Sequence, residues 1–319
     1  MTISIKGHAQ QIAILEKQSI SGRLPNAYLF AGPNAIGKGL VAKFLSRDLA
    51  CLVERPRPFG GCGKCIGCRK VLSDNHPDRF YIEAEDLQIK IGQIRELGLS
   101  LHFHPLESQK KVVIVDEAER MNESTANSML KILEEPPPDT HFILISASPH
   151  MLLPTIRSRC QKIYFQPLRN PEVIELLVEK GYSQKEATKI AKLSGGSVGL
   201  ALTIDPSFVD GIIGRFLALC ANASSADIIE TSDVWSKEEP PRMMQILDVL
   251  ASCFRDLLRF GLIGDAEDLI HPEIARFVDK KGFKSPEKGI EEIEASRRSL
   301  GINANKQLMF ENLLFTLMS

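Results

Sequence analysis

The stretch GPNAIGKGL, Gly32–Leu40, decides how the first half of this chain is read. It follows a short apolar run, AYLFA, and opens into LVAKFLSRDLA, which has the spacing of a helix. The phosphate-loop pattern GxxxxGK[ST] is met at Gly32, Gly37 and Lys38 and fails at Gly39, where a hydroxyl is required. In such a loop, backbone amides and a helix N-terminus cradle phosphates, the lysine reaches the outer phosphates, and the hydroxyl ligates magnesium. Here the cradle is kept and the metal-holding hydroxyl is missing. ATP or ADP binding is therefore expected to be weak or absent, with phosphoryl transfer correspondingly slow. A plain glycine turn holding no nucleotide is the alternative.

Working outward, β-type runs alternate with helical ones: AYLFA, DRFYIEA near residue 78, KVVIVDE near 111, HFILISAS near 141 and KIYFQPL near 162. Runs that are apolar on both faces and separated by helices predict a buried parallel sheet with helices on either side, an α/β domain over residues 1–167. The run VVIV delivers Asp116 and Glu117 at its C-terminal end, where a nucleotide-hydrolysing fold places a metal-orienting acid and a base. An acidic strand end alone is commonplace, but paired with the upstream loop it points to a nucleotide site.

Between them lies CGKCIGC, with Cys62, Cys65 and Cys68, and Cys51 eleven residues earlier. Overlapping CxxC turns let thiolates converge on one ion, so the four cysteines predict a closed structural zinc knuckle over 51–68. His76 in place of Cys51, or a redox CxxC without metal, are the alternatives. Seven cysteines, an odd number, suit a reducing compartment better than a disulfide framework. No apolar run approaches the roughly 20 residues of a membrane span, and the N-terminus does not read as a signal peptide, so a cytoplasmic protein is expected. Lys plus Arg total 39 against 40 for Asp plus Glu, so net charge provides no general attraction to nucleic acid or membrane.

After HFILISAS comes TIRSRC, with Pro154 as a helix-start signal and two arginines, Arg157 and Arg159. Residues 168–204 read as short helices broken by LSGGSVG, and 205–319 as helices without a strand. Met243, Ile246, Leu247, Leu250, Phe254, Leu257 and Leu258 form one apolar stripe, and Leu308, Leu313, Leu314 and Leu317 a second. EEPP at 238–241 and ANASSAD at 221–227 read as interhelix loops.

Taken together, GRLPNAYLFAGPNAIGKG, the cysteine insert, KIGQIRELGLSLHFHP, KKVVIVDEAERMNESTANSMLKILEEPPPDTHFILISAS and LLPTIRSRCQ resemble the AAA+ clamp-loader family of bacterial DNA polymerase III. NANKQLMFENLL is similar to that family's collar helix. The resemblance implies an AAA+ P-loop domain with a zinc knuckle insert (1–167), a helical lid (168–204) and an all-α collar (205–319) through which five subunits form a ring. It implies that Arg159 reaches in trans, as an arginine finger, into a neighbour's ATP site. The implied partners are the gamma/tau and delta subunits, with the sliding clamp and primed DNA engaged through the complex. Gly39, and Gly199 where motor subunits carry a second-sensor arginine, point to a stator subunit. The alternatives are a gamma/tau-like motor and a stand-alone zinc-dependent DNA-binding protein.

Overall fold

The computed structural model describes residues 5–266, 269–277, 285–300 and 305–318. The chain divides into two compact units, one comprising the residues up to Leu176 together with Gly195–Leu200, the other Leu177–Ser194 and the residues from Ala201 onward. Residues 168–204 are thus shared between the two.

In the first unit, α1 (Ala9–Ile20) leads into β1 (Ala27–Ala31), followed by α2 (Lys38–Leu49), α3 (Ile66–Leu72) and β2 (Arg79–Ile82). Then come α4 (Ile91–Leu101), β3 (Lys111–Val115), α5 (Glu123–Glu134), β4 (Thr140–Ser146), α6 (Pro154–Arg159) and β5 (Gln161–Tyr164). The five strands form one sheet in the order β2-β3-β4-β1-β5, every pair parallel. Each strand run read from the sequence is present. The three inner strands, β1, β3 and β4, are buried along their whole length, which is why they read as unbroken apolar runs.

The two faces carry separate cores. Tyr28, Phe30, Ile114, Ile143 and Ile145 pack against Leu15 of α1 and Val41, Ala42 and Leu45 of α2. Leu29, Val113, Phe142 and Leu144 pack on the other side against Ile94 and Leu97 of α4, Met129 and Leu133 of α5, and Ile156 of α6. The chain therefore leaves β1 toward one face and its neighbour β4 toward the other. That reversal makes a topological switch point at the C-terminal ends of the strands, the place where open α/β sheets bind ligands.

The chain continues through α7 (Asn170–Glu179), α8 (Gln184–Ser194) and α9 (Val198–Thr203) to α10 (Pro206–Asn222), α11 (Ser225–Ser236), α12 (Pro240–Ile263), α13 (Pro286–Leu300) and α14 (Lys306–Met318). Among the described residues from Asp205 onward there is no strand. The stripe from Met243 to Leu257 is buried along α12, with Leu258 half-buried. Trp235 of α11 meets Phe310 of α14 edge-on, with centroids 5.7 Å apart.

Three expectations are corrected here. EEPP is not a loop throughout, because Pro240 and Pro241 form the first turn of α12, where a missing N–H costs nothing. ANASSAD is mostly helical: only Ala223 and Ser224 separate α10 from α11, and Ser224 and Asp227 close a capping box. Leu308, expected in the second stripe, is 52% exposed, whereas Leu313, Leu314 and Leu317 are buried. Residues 301–304, which include the start of NANKQLMFENLL, lie outside the described residues. No described helix is long and apolar enough to cross a membrane.

Gly289 of α13 shows how closely the helices meet. A Cβ built there falls 2.3 Å from the fully buried Phe254 ring of α12. Gly289→Ala should cost about 1–3 kcal/mol through overpacking, less up to about 1 kcal/mol of improved helix propensity. A lowered chemical-unfolding midpoint is the expected result; an unchanged or raised one would show that the helices separate freely.

Candidate functional site

The loop from Gly32 to Gly37 sits at the C-terminal end of β1, and Gly37, at φ 105°, caps α2 in a conformation that favours glycine. The loop is held by the chain's own groups. Lys38 Nζ is buried and donates to the carbonyls of Gly32 and Pro33. Burial lowers the lysine's affinity for its proton, against the opposing charges of Glu119 and Asp116. The His8 ring meets Ile36 O through Nε2 at 2.7 Å. Gly199 N donates to Ala35 O at 2.8 Å, and Ser197 Oγ lies 3.2 Å from the same oxygen. A Cβ at Gly199 would stand 2.7 Å from Ala35 Cβ, so only glycine lets this segment press so closely on the loop.

Asp116 follows β3 directly. Its Oδ1 accepts from Glu117 N at 2.9 Å and its Oδ2 from the Tyr81 hydroxyl at 2.7 Å. A Cβ on Gly39 would lie 3.9 Å from Asp116 Oδ2, an ordinary contact, so the absent hydroxyl and the acid face one another. Glu117 adopts the left-handed region at φ 46° and pairs with Arg120 at 3.1 Å. Strained residues of this kind gather at functional sites.

Glu119 carries no signal of its own in the sequence. Its Oε1 accepts from Ala147 N at the end of β4 (2.9 Å), while its Oε2 is buried without a hydrogen-bond partner among the described residues. The run DEAE contains it, but nothing in spacing separates it from a solvated acid. Tyr81 is likewise found only through its contact with Asp116.

Arg159 ends α6, which packs on α5 on the sheet face opposite α2. Its Nη2 donates to Glu134 Oε1 at 2.7 Å and its Nη1 to Thr155 O at 3.0 Å. Its side chain is 36% exposed. Arg157 Nε is buried without a hydrogen-bond partner among the described residues.

Cys51, Cys62, Cys65 and Cys68 converge, all four sulfurs lying within 4.8 Å of one another. His76 is not among them; its Nδ1 accepts from Asp78 N at 3.1 Å. Cys62 and Cys68 stand 4.0 Å apart and Cys65 and Cys51 3.9 Å, which fits a tetrahedral ion, whose sulfurs would be about 3.8 Å apart for bonds of about 2.3 Å. The amides of Cys65 and Lys64 donate to Cys62 Sγ at 3.3 and 3.5 Å and draw that thiol's pKa down to about 6. Four cysteines so placed can hold a metal.

A parallel sheet with a P-loop at its switch point, an acidic end to β3, which is separated from β1 by β4 alone, and a mostly helical C-terminal part defines an AAA+ protein. The family model described as "DNA polymerase III, delta subunit" matches residues 7–169. DNA polymerase III subunit delta' of Bacillus subtilis is 32% identical over 307 residues, covering 92% of this chain and 91% of that protein. Its Pseudomonas aeruginosa counterpart is 43% identical over 138 residues, 42% of this chain and 41% of that one. DNA polymerase III subunit tau/gamma of Haemophilus influenzae is 26% identical over 242 residues, 70% of this chain and 34% of that protein. The chain belongs to the delta' family of DNA polymerase III clamp-loader subunits.

Proposed function

We propose that this chain is the stator of a bacterial clamp loader. It supplies Arg159 in trans to the ATP site of a gamma/tau-type neighbour while the complex, delta included, loads a sliding clamp onto primed DNA. The observation that carries this reading is a contrast between two places in one fold. The home loop lacks the hydroxyl at Gly39 and has its carbonyls occupied by Lys38, His8, Ser197 and Gly199. Arg159 stands on the other sheet face, partly exposed and held, among the described residues, by Glu134 and the Thr155 carbonyl, groups it can leave. A guanidinium is charged at any physiological pH and forks onto phosphate oxygens, which suits it to stabilising charge in a neighbour's transferring phosphate.

On this reading residues 168–204 act as a lid and 205–319 as the collar that joins the ring, zinc fills the knuckle with a structural role, and the protein is cytoplasmic. The test is ATP turnover by a complex reconstituted with gamma/tau-type and delta subunits, with and without an intact Arg159.

A motor reading is kept in view by Asp116, which still faces residue 39. A Cβ at residue 39 meets nothing closer than 3.9 Å, and Gly39→Thr restores the hydroxyl. We expect the wild-type chain alone to hydrolyse ATP near background and the substitution to strengthen Mg-ATP binding, measured by calorimetry. Motor-like turnover by the wild-type chain, unaltered by Gly39→Thr, would overturn the stator assignment.

A further inference from the structure

The last turn of α2 carries a charge network that the P-loop does not use. Asp48 is 1% exposed, yet its carboxylate accepts five hydrogen bonds. Oδ1 receives Gly60 N at 2.9 Å, Gly61 N at 3.2 Å and Arg57 Nη1. Oδ2 receives Ser19 Oγ at 2.5 Å and Arg55 Nη2 at 2.8 Å. The backbone oxygen of the same residue takes Arg57 Nη2 at 2.7 Å, and Arg57 Nε reaches Val53 O at 2.8 Å. The preceding residue, Arg47, donates from Nε to Gly60 O, so Gly60 is gripped from both sides.

These bonds have a common consequence. Asp48 lies three residues before Cys51, and Gly60 and Gly61 immediately precede Cys62. One carboxylate therefore ties down both feet of the long loop between the first two cysteines, with Arg55 and Arg57 as braces along it. The CxxC turns from Cys62 to Cys68 bring their own three sulfurs together locally. Cys51 has no such turn and depends on where the loop is anchored.

We infer that Asp48 is a positioning residue for the four-cysteine metal site: it orders the Cys51–Cys62 loop in advance of binding and so sets the affinity for the ion. The inference rests on the reading of the knuckle as a metal site. Supporting residues of this kind typically change metal affinity 10–100-fold when lost, because a ligand set already in place gives up less entropy on binding.

The experiment measures Zn2+ affinity of the full-length chain by competition with a chromophoric chelator, alongside thermal melting. Four proteins are compared: wild type, Asp48→Asn, Arg57→Lys and Asp78→Asn. Asp78 is the control, a second buried carboxylate that accepts the amides of Leu106, Glu107 and Ser108 at 2.6, 2.8 and 2.7 Å, in the same unit and hydrogen-bonded to none of the four cysteines.

Asp48→Asn should weaken Zn2+ binding 10–100-fold, and Arg57→Lys should weaken it less. Asp78→Asn should melt earlier at wild-type affinity. Co2+ at saturation should give the same thiolate charge-transfer band in Asp48→Asn as in wild type, since all four ligands remain. Wild-type affinity in both Asp48→Asn and Arg57→Lys would overturn the assignment, as would an equal loss in Asp78→Asn, which would reduce the effect to general stability. Should Asp48→Asn fail to fold, Arg57→Lys alone decides. A wild-type chain that binds neither ion would refute the metal reading itself, and this assignment with it.

Discussion

Replacing Arg159 with alanine is expected to leave the isolated chain folded and to slow ATP hydrolysis by the reconstituted clamp loader about 10³-fold at the site the finger serves. The fold should survive because the guanidinium holds little of it together. The Arg159–Glu134 pair is 36% and 43% exposed, and such a pair contributes at most about 1 kcal/mol. On the trans reading the catalytic loss should be large, because the same guanidinium would move from a solvated carboxylate to a phosphate in a water-poor interface, where screening is weak. Lysine should restore little, since a point charge on a flexible stem cannot reproduce the planar fork. Steady-state turnover of the complex, with melting curves of the isolated variants beside it, is the measurement. Unchanged turnover with Arg159→Ala would remove the trans role. A loss matched by an equal drop in the chain's melting temperature or in complex assembly would mark Arg159 as structural.

The parts of this fold that were legible in the sequence are those where a local pattern and a buried environment coincide. The strands β1, β3 and β4 are buried on both faces and so are apolar at nearly every position. Pro154 marks the start of α6, and the four cysteines announce their own convergence. Long-range closure was not legible. That His8, Ser197 and Gly199 would all attach to the loop at 34–36 depends on tertiary placement that no spacing encodes. Asp48 reads in sequence as one more charge at a helix end, yet it is among the most buried acids of the described chain. Proline and small polar residues mislead at 238–241 and 221–227 because the same residues serve both loops and helix first turns. Leu308 reads as a core position because α14 is apolar nearly all round, which leaves the direction of its buried face to packing.

Cys65→Ser should release the metal while keeping the helix it begins. Cys65 caps α3, its sulfur accepting from Cys68 N at 3.4 Å. Serine is among the preferred residues at that position, so the cap is preserved. As a ligand, serine fails: its hydroxyl stays protonated at neutral pH, whereas a thiolate is the form that binds zinc. Affinity should fall by more than about 100-fold, the upper end of what the loss of a mere supporting residue produces. The two sheet cores contain none of the four cysteines, so the sheet should persist while the segment from Cys51 to Cys68 loosens. Elemental analysis should then find about one zinc per wild-type chain and almost none in the variant. Limited proteolysis should cut the variant within 51–68. Wild-type protein treated with a strong chelator should behave like the variant, and the variant should not respond further, because both lack the same interaction. Equal metal content in the two proteins would exclude the four-cysteine site. Equal protease resistance would show that the braces around Asp48, rather than the ion, hold the knuckle in shape.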